Sequence, residues 1–244
     1  MKAPLWRAFL RLFSVQGAWN YERMLGIGMG YAALPLLQKM RQQDPAGYRE
    51  AVARQAEFFN AQPYLAGLAL GATTRAEYQG VPGEKILRLR TALCGPLGAL
   101  GDQLFWTGIL PALVSTALVM VAFGLAGAGL LGFLVVFNGI RVAVEWWGLR
   151  TGWASGLEVS QVLHKSWLPK AVAVAGPAAG FAMGVALPVI GGWLVADLDR
   201  VVMAGALGVV GIAVVMARVN PRVTGLRFTL VVATVILLSA WVGA

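Results

Sequence analysis

The stretch Gln103–Ile140 runs for 38 residues without a charged side chain. As one straight α-helix at about 1.5 Å per residue it would reach ~57 Å, nearly twice the hydrocarbon thickness of a bilayer. It must therefore fold back on itself. Gly124, Gly127, Gly129 and Gly132 weaken the helix and predict the turn within Gly124–Gly132. Two short legs then imply a re-entrant or tightly folded hairpin. Three more uncharged stretches approach spanning length: Ala171–Ala196 (26 residues), Val201–Ala217 (17) and Phe228–Ala244 (17). Met24–Gln38, at 15 residues, is too short to span. The whole chain is 58% hydrophobic and only 13% charged, which is too apolar for a soluble domain to cover with polar surface. A disordered chain is excluded on the same ground. The single Cys94 cannot form a disulfide within the chain.

The net charge of +9 is spread along the chain rather than clustered. Residues 1–102 hold 12 Lys and Arg against 7 Asp and Glu; the rest hold 8 and 4. Nucleic acid would call for a clustered basic stripe, so it is not an expected partner. The charges instead orient the chain in a membrane. Arg141, Arg150, Lys165 and Lys170 outnumber Glu145 and Glu158, and Arg218–Arg227 has three Arg and no acid. The rule that Lys and Arg stay inside places both segments in the cytoplasm and Asp197–Arg200 outside. The expectation is an all-α integral membrane protein of transmembrane helices plus re-entrant hairpins, with a cytoplasmic N-terminus and the C-terminus outside. Residues 1–102 form a mixed polar and apolar half with amphipathic and re-entrant helices. Residues 103–244 form a membrane half: hairpin 103–140, cytoplasmic segment 141–170 and helices 171–196, 201–217 and 228–244.

Near the N-terminus, Arg7 and Arg11 interrupt any signal-peptide core. Leu5, Phe9, Leu12 and Phe13 instead share one helical face, opposite those two Arg. Such a helix lies on a membrane surface or packs on its own protein. A second helix is predicted over 49–59, with Glu50 and Arg54 at i,i+4 and a stripe of Val52, Ala56 and Phe59.

Several tempting motifs fail in context. Gly127-Ala-Gly129-Leu-Leu-Gly132 fits the dinucleotide pattern, but no βαβ unit surrounds it. Gly176, Gly180 and Gly184 make a smooth face for helix contact. The only histidine, His164, sits beside Lys165 in a basic segment with no acid partner and reads as a solvated loop residue. No ligand spacing suggests a metal, and no nucleophile–base pair suggests catalysis. No cofactor is expected.

Three clusters remain: Gln16–Met24 (QGAWNYERM), Glu57–Pro63 (EFFNAQP) and Gly95–Gln103 (GPLGALGDQ). Each joins amide or acid side chains to aromatics or to backbone-loosening Gly and Pro. Amides and carboxylates bond hydroxyls in pairs, and aromatic faces pack on the C–H surface of a sugar ring. Asn60, Gln62 and Asp102 are the candidates for a substrate path. Trp19, Asn20, Glu22, Arg23, Gly95, Pro96, Gly98 and Gly101 are candidates for structural or gating roles, with Glu22 and Arg23 as a buried pair.

These clusters, with FNGIR at Phe137–Arg141, resemble in order the IID subunit of the mannose/fructose/sorbose-family phosphotransferase system. Asn220-Pro221 before the last helix also fits. The resemblance implies a translocator made with a IIC subunit, as a trimer of IIC–IID pairs in the bacterial cytoplasmic membrane. It implies a hexose delivered inward and phosphorylated by a cytoplasmic IIB, itself supplied through IIA. IID is not the phosphorylated protein, so no catalytic residue is expected here. Gln103 stands where members usually carry Pro, which leaves the backbone around Asp102 freer to be helical. The chain is also shorter, after Tyr78 and before Val201. A non-transporting regulatory or scaffold subunit is the alternative.

Overall fold

The computed structural model describes residues 4–194 and position 208. The expected helices 201–217 and 228–244, the link Asp197–Arg200, the segment Arg218–Arg227 and Asn220-Pro221 lie outside the described residues, apart from helical Gly208. The chain divides into two compact units, residues 1–187 and 188–244. Among the described residues the first unit is helical, with two isolated β-bridges and no strand.

Helix α1 (Leu5–Leu12) buries Ala8 and Leu12, and Val15 just beyond it, against the interior. Of the predicted stripe, Leu12 is buried, Leu5 and Phe9 are half-buried against the core, and Phe13 is exposed. Arg11 donates to the Tyr31 carbonyl (3.0 Å) and lies over the Tyr31 ring (4.4 Å), so one of the two basic residues packs on the chain itself.

Helix α2 (Gly26–Gln43) starts Gly-Ile-Gly-Met-Gly, and those glycines let backbone meet backbone. A Cβ on Gly26 would lie 2.8 Å from the Ala56 carbonyl oxygen, and one on Gly28 would lie 2.6 Å from the Val15 carbonyl carbon. Helix α3 (Pro45–Gln55) begins at Asp44, whose carboxylate accepts from the Gly47 N–H (2.9 Å), with Pro45 in the first turn. It starts earlier than the predicted 49–59 and stops at Gln55. Phe59 lies beyond it in extended backbone, fully buried. Glu50 and Arg54 do pair (3.6 Å), but the closer partner of Arg54 is Glu77 (2.7 Å). That two-pronged bond raises the Arg54 guanidinium above its ordinary value, against the opposing effect of burial.

Helix α4 (Ala66–Tyr78) is buried over nearly its whole length. It crosses helix α7 (Ala126–Ser155) at backbone contact. A Cβ on Gly67 would sit 3.0 Å from the Glu145 carbonyl oxygen, and one on Gly152 would sit 3.0 Å from the Ala72 nitrogen. Two four-residue glycine steps, Gly67/Gly71 and Gly148/Gly152, face each other there. The predicted stripe Gly176/Gly180/Gly184 has nothing within 4 Å among the described residues; it lies in helix α9 (Leu168–Leu194), which starts three residues before the predicted Ala171.

Helix α5 (Gly83–Leu104) passes through a π turn (Phe105–Ile109) into helix α6 (Leu110–Ala122). The chain reverses at Phe123–Leu125, where Gly124 takes φ +79°. The fold-back is therefore real, but its turn is confined to the first glycine of the predicted segment. Gly127, Gly129 and Gly132 lie inside α7. Neither leg is short. Gly83–Ala122 is 40 residues, ~60 Å of helix, and α7 is 30 residues, ~45 Å. Both helices run on past the uncharged stretch through charged residues, Asp102 in α5 and Arg141 in α7. Arg141 and Glu145 lie within α7, as does Arg150, so helix extends well into the segment 141–170. A 3-10 turn (Gly156–Glu158) leads to helix α8 (Val159–Lys165). His164 is exposed there, in a helix rather than a loop.

Gly83–Ala122 and Ala126–Trp193 contain helix long and apolar enough to cross a membrane. Large apolar side chains stand exposed on both, for example Leu118, Val121, Leu131, Val135, Phe181 and Leu187. Such a surface suits lipid or a partner subunit.

Candidate functional site

The first two sequence clusters are joined by backbone. Asn20 holds a tight turn: its side-chain oxygen accepts from the N–H groups of Glu22 (3.1 Å) and Arg23 (2.9 Å). Met24 follows with φ +50°, uncommon for a residue with a Cβ. It forms a parallel bridge with Phe59. The Leu25 N–H donates to the Phe59 carbonyl (2.9 Å), and the Phe59 N–H donates to the Arg23 carbonyl (3.2 Å).

A buried cation anchors the second cluster. Arg90, 1% exposed, donates to the Glu57 carbonyl (2.9 Å) and to Gln55 Oε1 (3.2 Å). Its guanidinium lies over the Phe59 ring at 5.0 Å. Gln55 Oε1 also accepts from the Thr73 hydroxyl (2.9 Å). Helices α3, α4 and α5 thus share one buried polar network at the root of the segment 57–63. Nothing in the cluster reading pointed to Arg90. Its place on α5, one turn before Cys94, was the available signal.

Gln62 caps the 3-10 turn Pro63–Leu65 by accepting from the Tyr64 N–H (2.6 Å). Its side chain is buried, and its Nε2 has no partner among the described residues. The stem of Gln62 rests on Gly101: an added Cβ there would lie 2.7 Å from Gln62 Cγ. Gly101 thus seats a cleft residue.

Cys94, Gly98 and Asp102 recur at i, i+4 and i+8 on α5 and face this segment. A cleft of about 590 Å³ lies between them, lined by Trp19 from the first cluster, Asn60 and Gln62 from the second, and Gly95, Gly98 and Asp102 from the third. Gln16, Phe58, Cys94 and Trp106 complete its polar and aromatic wall. Trp106 enters from the π turn, a distortion often found at functional sites. Helix runs on through Asp102 and Gln103, as the missing Pro predicted.

The remaining candidates lie outside the cleft lining. Asn20 shapes the loop. Pro96 is exposed inside α5. Glu22 and Arg23 are both exposed and do not pair with each other; Arg23 donates to the Ala56 carbonyl (3.3 Å). The expected buried pair is therefore absent: both side chains are exposed, and Arg23 bonds to backbone instead. The fourth motif supports the cleft from behind. Phe137 and Phe105 meet Tyr64 edge-on, and the Arg141 guanidinium lies 5.4 Å from the rings of both Tyr64 and Phe13.

Chemically, the cleft offers three amides, one carboxylate and three aromatic faces. No lysine or arginine lines it, and no group of residues able to hold a metal occurs among the described residues. Amides donate and accept together, as neutral hydroxyls require.

The sequence matches the family description "PTS system mannose/fructose/sorbose family IID component" over residues 1–238. It is 31% identical over 185 residues to a PTS system mannose-specific EIID component of Escherichia coli K12, covering 72% of this chain and 64% of that protein. It is 29% identical over 243 residues to a fructose permease IID component of Bacillus subtilis, covering 95% and 86%. A solved structure titled as the mannose transporter ManYZ with microcin E492 superposes with a TM-score of 0.56 at 28% identity, covering 76% of this chain and 69% of that one. Another, titled only as a membrane protein, reaches 0.65 at the same identity and coverage. Four motifs, a helical fold with long apolar helices and a match along nearly the whole chain agree: the protein belongs to the mannose/fructose/sorbose family of PTS IID components.

Proposed function

We propose that this chain is the membrane subunit that pairs with a IIC subunit to carry a hexose inward, where a cytoplasmic IIB, supplied through IIA, phosphorylates it. In this reading the assembly is a trimer of IIC–IID pairs in the bacterial cytoplasmic membrane. The N-terminus is cytoplasmic, the C-terminus is outside and hairpin 103–140 lies in the bilayer. The relatives' names, mannose-specific and fructose permease, support a hexose. The neighbour's title, ManYZ, supports a second membrane subunit. The carrying observation is that three clusters up to 87 positions apart, Gln16 to Gln103, contribute to one amide- and aromatic-lined cleft. Asn60, Gln62 and Asp102 are assigned to hydroxyl contacts, and Trp19, Phe58 and Trp106 to ring faces.

Cys94, the only cysteine of the chain, lies in that wall and serves as a reporter. In vesicles carrying the chain with its IIC partner, maleimide labelling of the Cys94 peptide is followed by mass spectrometry. A transported hexose at ten times its Kd slows labelling roughly tenfold, the inverse of the unliganded fraction. Asp102→Asn lowers uptake and removes the protection while the complex still assembles. Labelling indifferent to every hexose that the complex takes up would refute a sugar path through this cleft.

A further inference from the structure

A second cavity lies at the other end of the first unit, between α1, α2, α4 and α7. It measures about 350 Å³, the liquid volume of about a dozen water molecules. Its floor is apolar: buried Pro35 and Leu36, with Trp153 beside them. Two exposed cations stand at its rim, Arg7 from α1 and Lys39 from α2, and no carboxylate lines it among the described residues. Among the described residues neither cation forms an ion pair. Arg7 is held within 5.3 Å of the Trp6 ring, which also lines the cavity.

Helix α1 adds an independent observation. It has a second apolar face besides the one it buries. Trp6, Leu10 and Phe13 recur at i, i+4 and i+7 and are 56%, 56% and 43% exposed. A helix with an apolar outer face and adjacent Arg is the form that lies in the bilayer interface with that face among acyl chains. The cavity mouth, bordered by Trp6, is then where acyl chain meets headgroup.

We propose that this cavity is a binding site for an anionic phospholipid. Its phosphodiester sits between Arg7 and Lys39, and an acyl chain runs along Trp6 and Leu10. Two cations without counter-ions around an apolar floor are complementary to one negative phosphate attached to hydrocarbon. A soluble anion would satisfy the cations but leave the Trp6–Leu10–Phe13 face uncovered. A zwitterionic lipid would bring its own cation against Arg7 and Lys39. Basic pockets between membrane-associated helices bind headgroups on this physical ground.

The test uses the full chain purified with its IIC partner in detergent. Phosphatidylglycerol, phosphatidylcholine and inorganic phosphate are added separately. Lipid retained by the complex is read by native mass spectrometry and stability by thermal unfolding. The expected result is retention of phosphatidylglycerol with a rise in Tm, and neither effect from phosphatidylcholine or phosphate. Each cation near an anionic lipid surface contributes about fivefold in affinity, so Arg7→Gln with Lys39→Gln weakens retention about thirtyfold. Trp6→Ala weakens it while leaving both cations in place. Equal retention of phosphatidylcholine overturns the proposal. So does a Tm rise from inorganic phosphate alone, or undiminished phosphatidylglycerol retention by the double variant. Should the double variant fail to assemble, the three additions to the wild-type complex decide alone.

Discussion

Substituting alanine for three glycines of α5 should give effects of opposite sign, although the chemistry is the same. At Gly101 the new Cβ collides with the Gln62 stem, 2.7 Å from its Cγ, and lies 3.2 Å from Leu65 Cδ1. The clash reaches the part of Gln62 nearest the backbone, which a rotamer change cannot withdraw. Either α5 moves away from the 3-10 turn, or Gln62 abandons its bond to the Tyr64 N–H. Overpacking of this kind costs about 1–3 kcal/mol, and a lost capping bond about 1 kcal/mol. Taking about 2–4 kcal/mol together, Tm of the purified complex falls roughly 4–16 °C for a chain of this size. At Gly98 the nearest atom is Ala61 Cα at 4.0 Å, an ordinary contact. There alanine raises helix propensity by up to ~1 kcal/mol and stability holds or rises. At Gly95 nothing lies within 4 Å, but Pro96 follows, so the gain is smaller. The assay is thermal unfolding in detergent, with sugar uptake in parallel. Gly101→Ala should lose both stability and uptake. Gly98→Ala should keep stability and reduce uptake only as far as its methyl narrows the cleft. Equal Tm values for Gly101→Ala and Gly98→Ala would refute the claim that Gly101 exists to seat Gln62.

Two further outcomes follow from the packing. Arg90→Gln orphans the Glu57 carbonyl and loses bonds worth about 1.5–3 kcal/mol each; Arg90→Lys keeps the charge but offers one nitrogen where two nitrogens now serve two acceptors. Lower Tm for both variants, with Cys94 labelling faster as the 57–63 segment loosens, is the expected readout, and an unchanged Tm would remove Arg90 as the anchor. Gly152→Ala places a methyl against the Leu68 carbonyl and 3.0 Å from the Ala72 nitrogen, atoms that cannot yield without separating α4 from α7. It should abolish assembly by size-exclusion chromatography, whereas Gly127→Ala, with nothing within 4 Å, should behave as wild type.

Much of the cleft lining is legible in the sequence because it is written in residue types that are costly in an apolar chain. Asn60, Gln62 and Asp102 stood out for that reason, and each lines the cleft. The charged pair Glu22–Arg23 stood out equally and does not. Sequence cannot tell a polar residue aimed inward from one aimed outward, and here both are exposed. In the sequence Arg90 sits among Lys85 and Arg88, charges typical of an exposed helix start. Its burial is a property of three helices meeting. The glycine steps illustrate the same limit. Gly176/Gly180/Gly184 and Gly67/Gly71 have the same spacing, but only the second meets a partner helix within the described chain.

Helical class, membrane character, a fold-back somewhere in Gly124–Gly132 and family membership were determined by the sequence alone. They follow from hydrophobicity, from the length that an uncharged run can occupy, and from motif order. The tertiary structure decided where helices end, which glycines serve packing and which polar residues share a cleft. Uncharged stretches mark low solvation, not helix termini, so α5 and α7 extend past them through charged residues. The cleft arises only when the Met24–Phe59 bridge brings the first two clusters together and Gly101 lets α5 close on the second. Those contacts are long-range, set by which backbones can touch, and no local pattern encodes them.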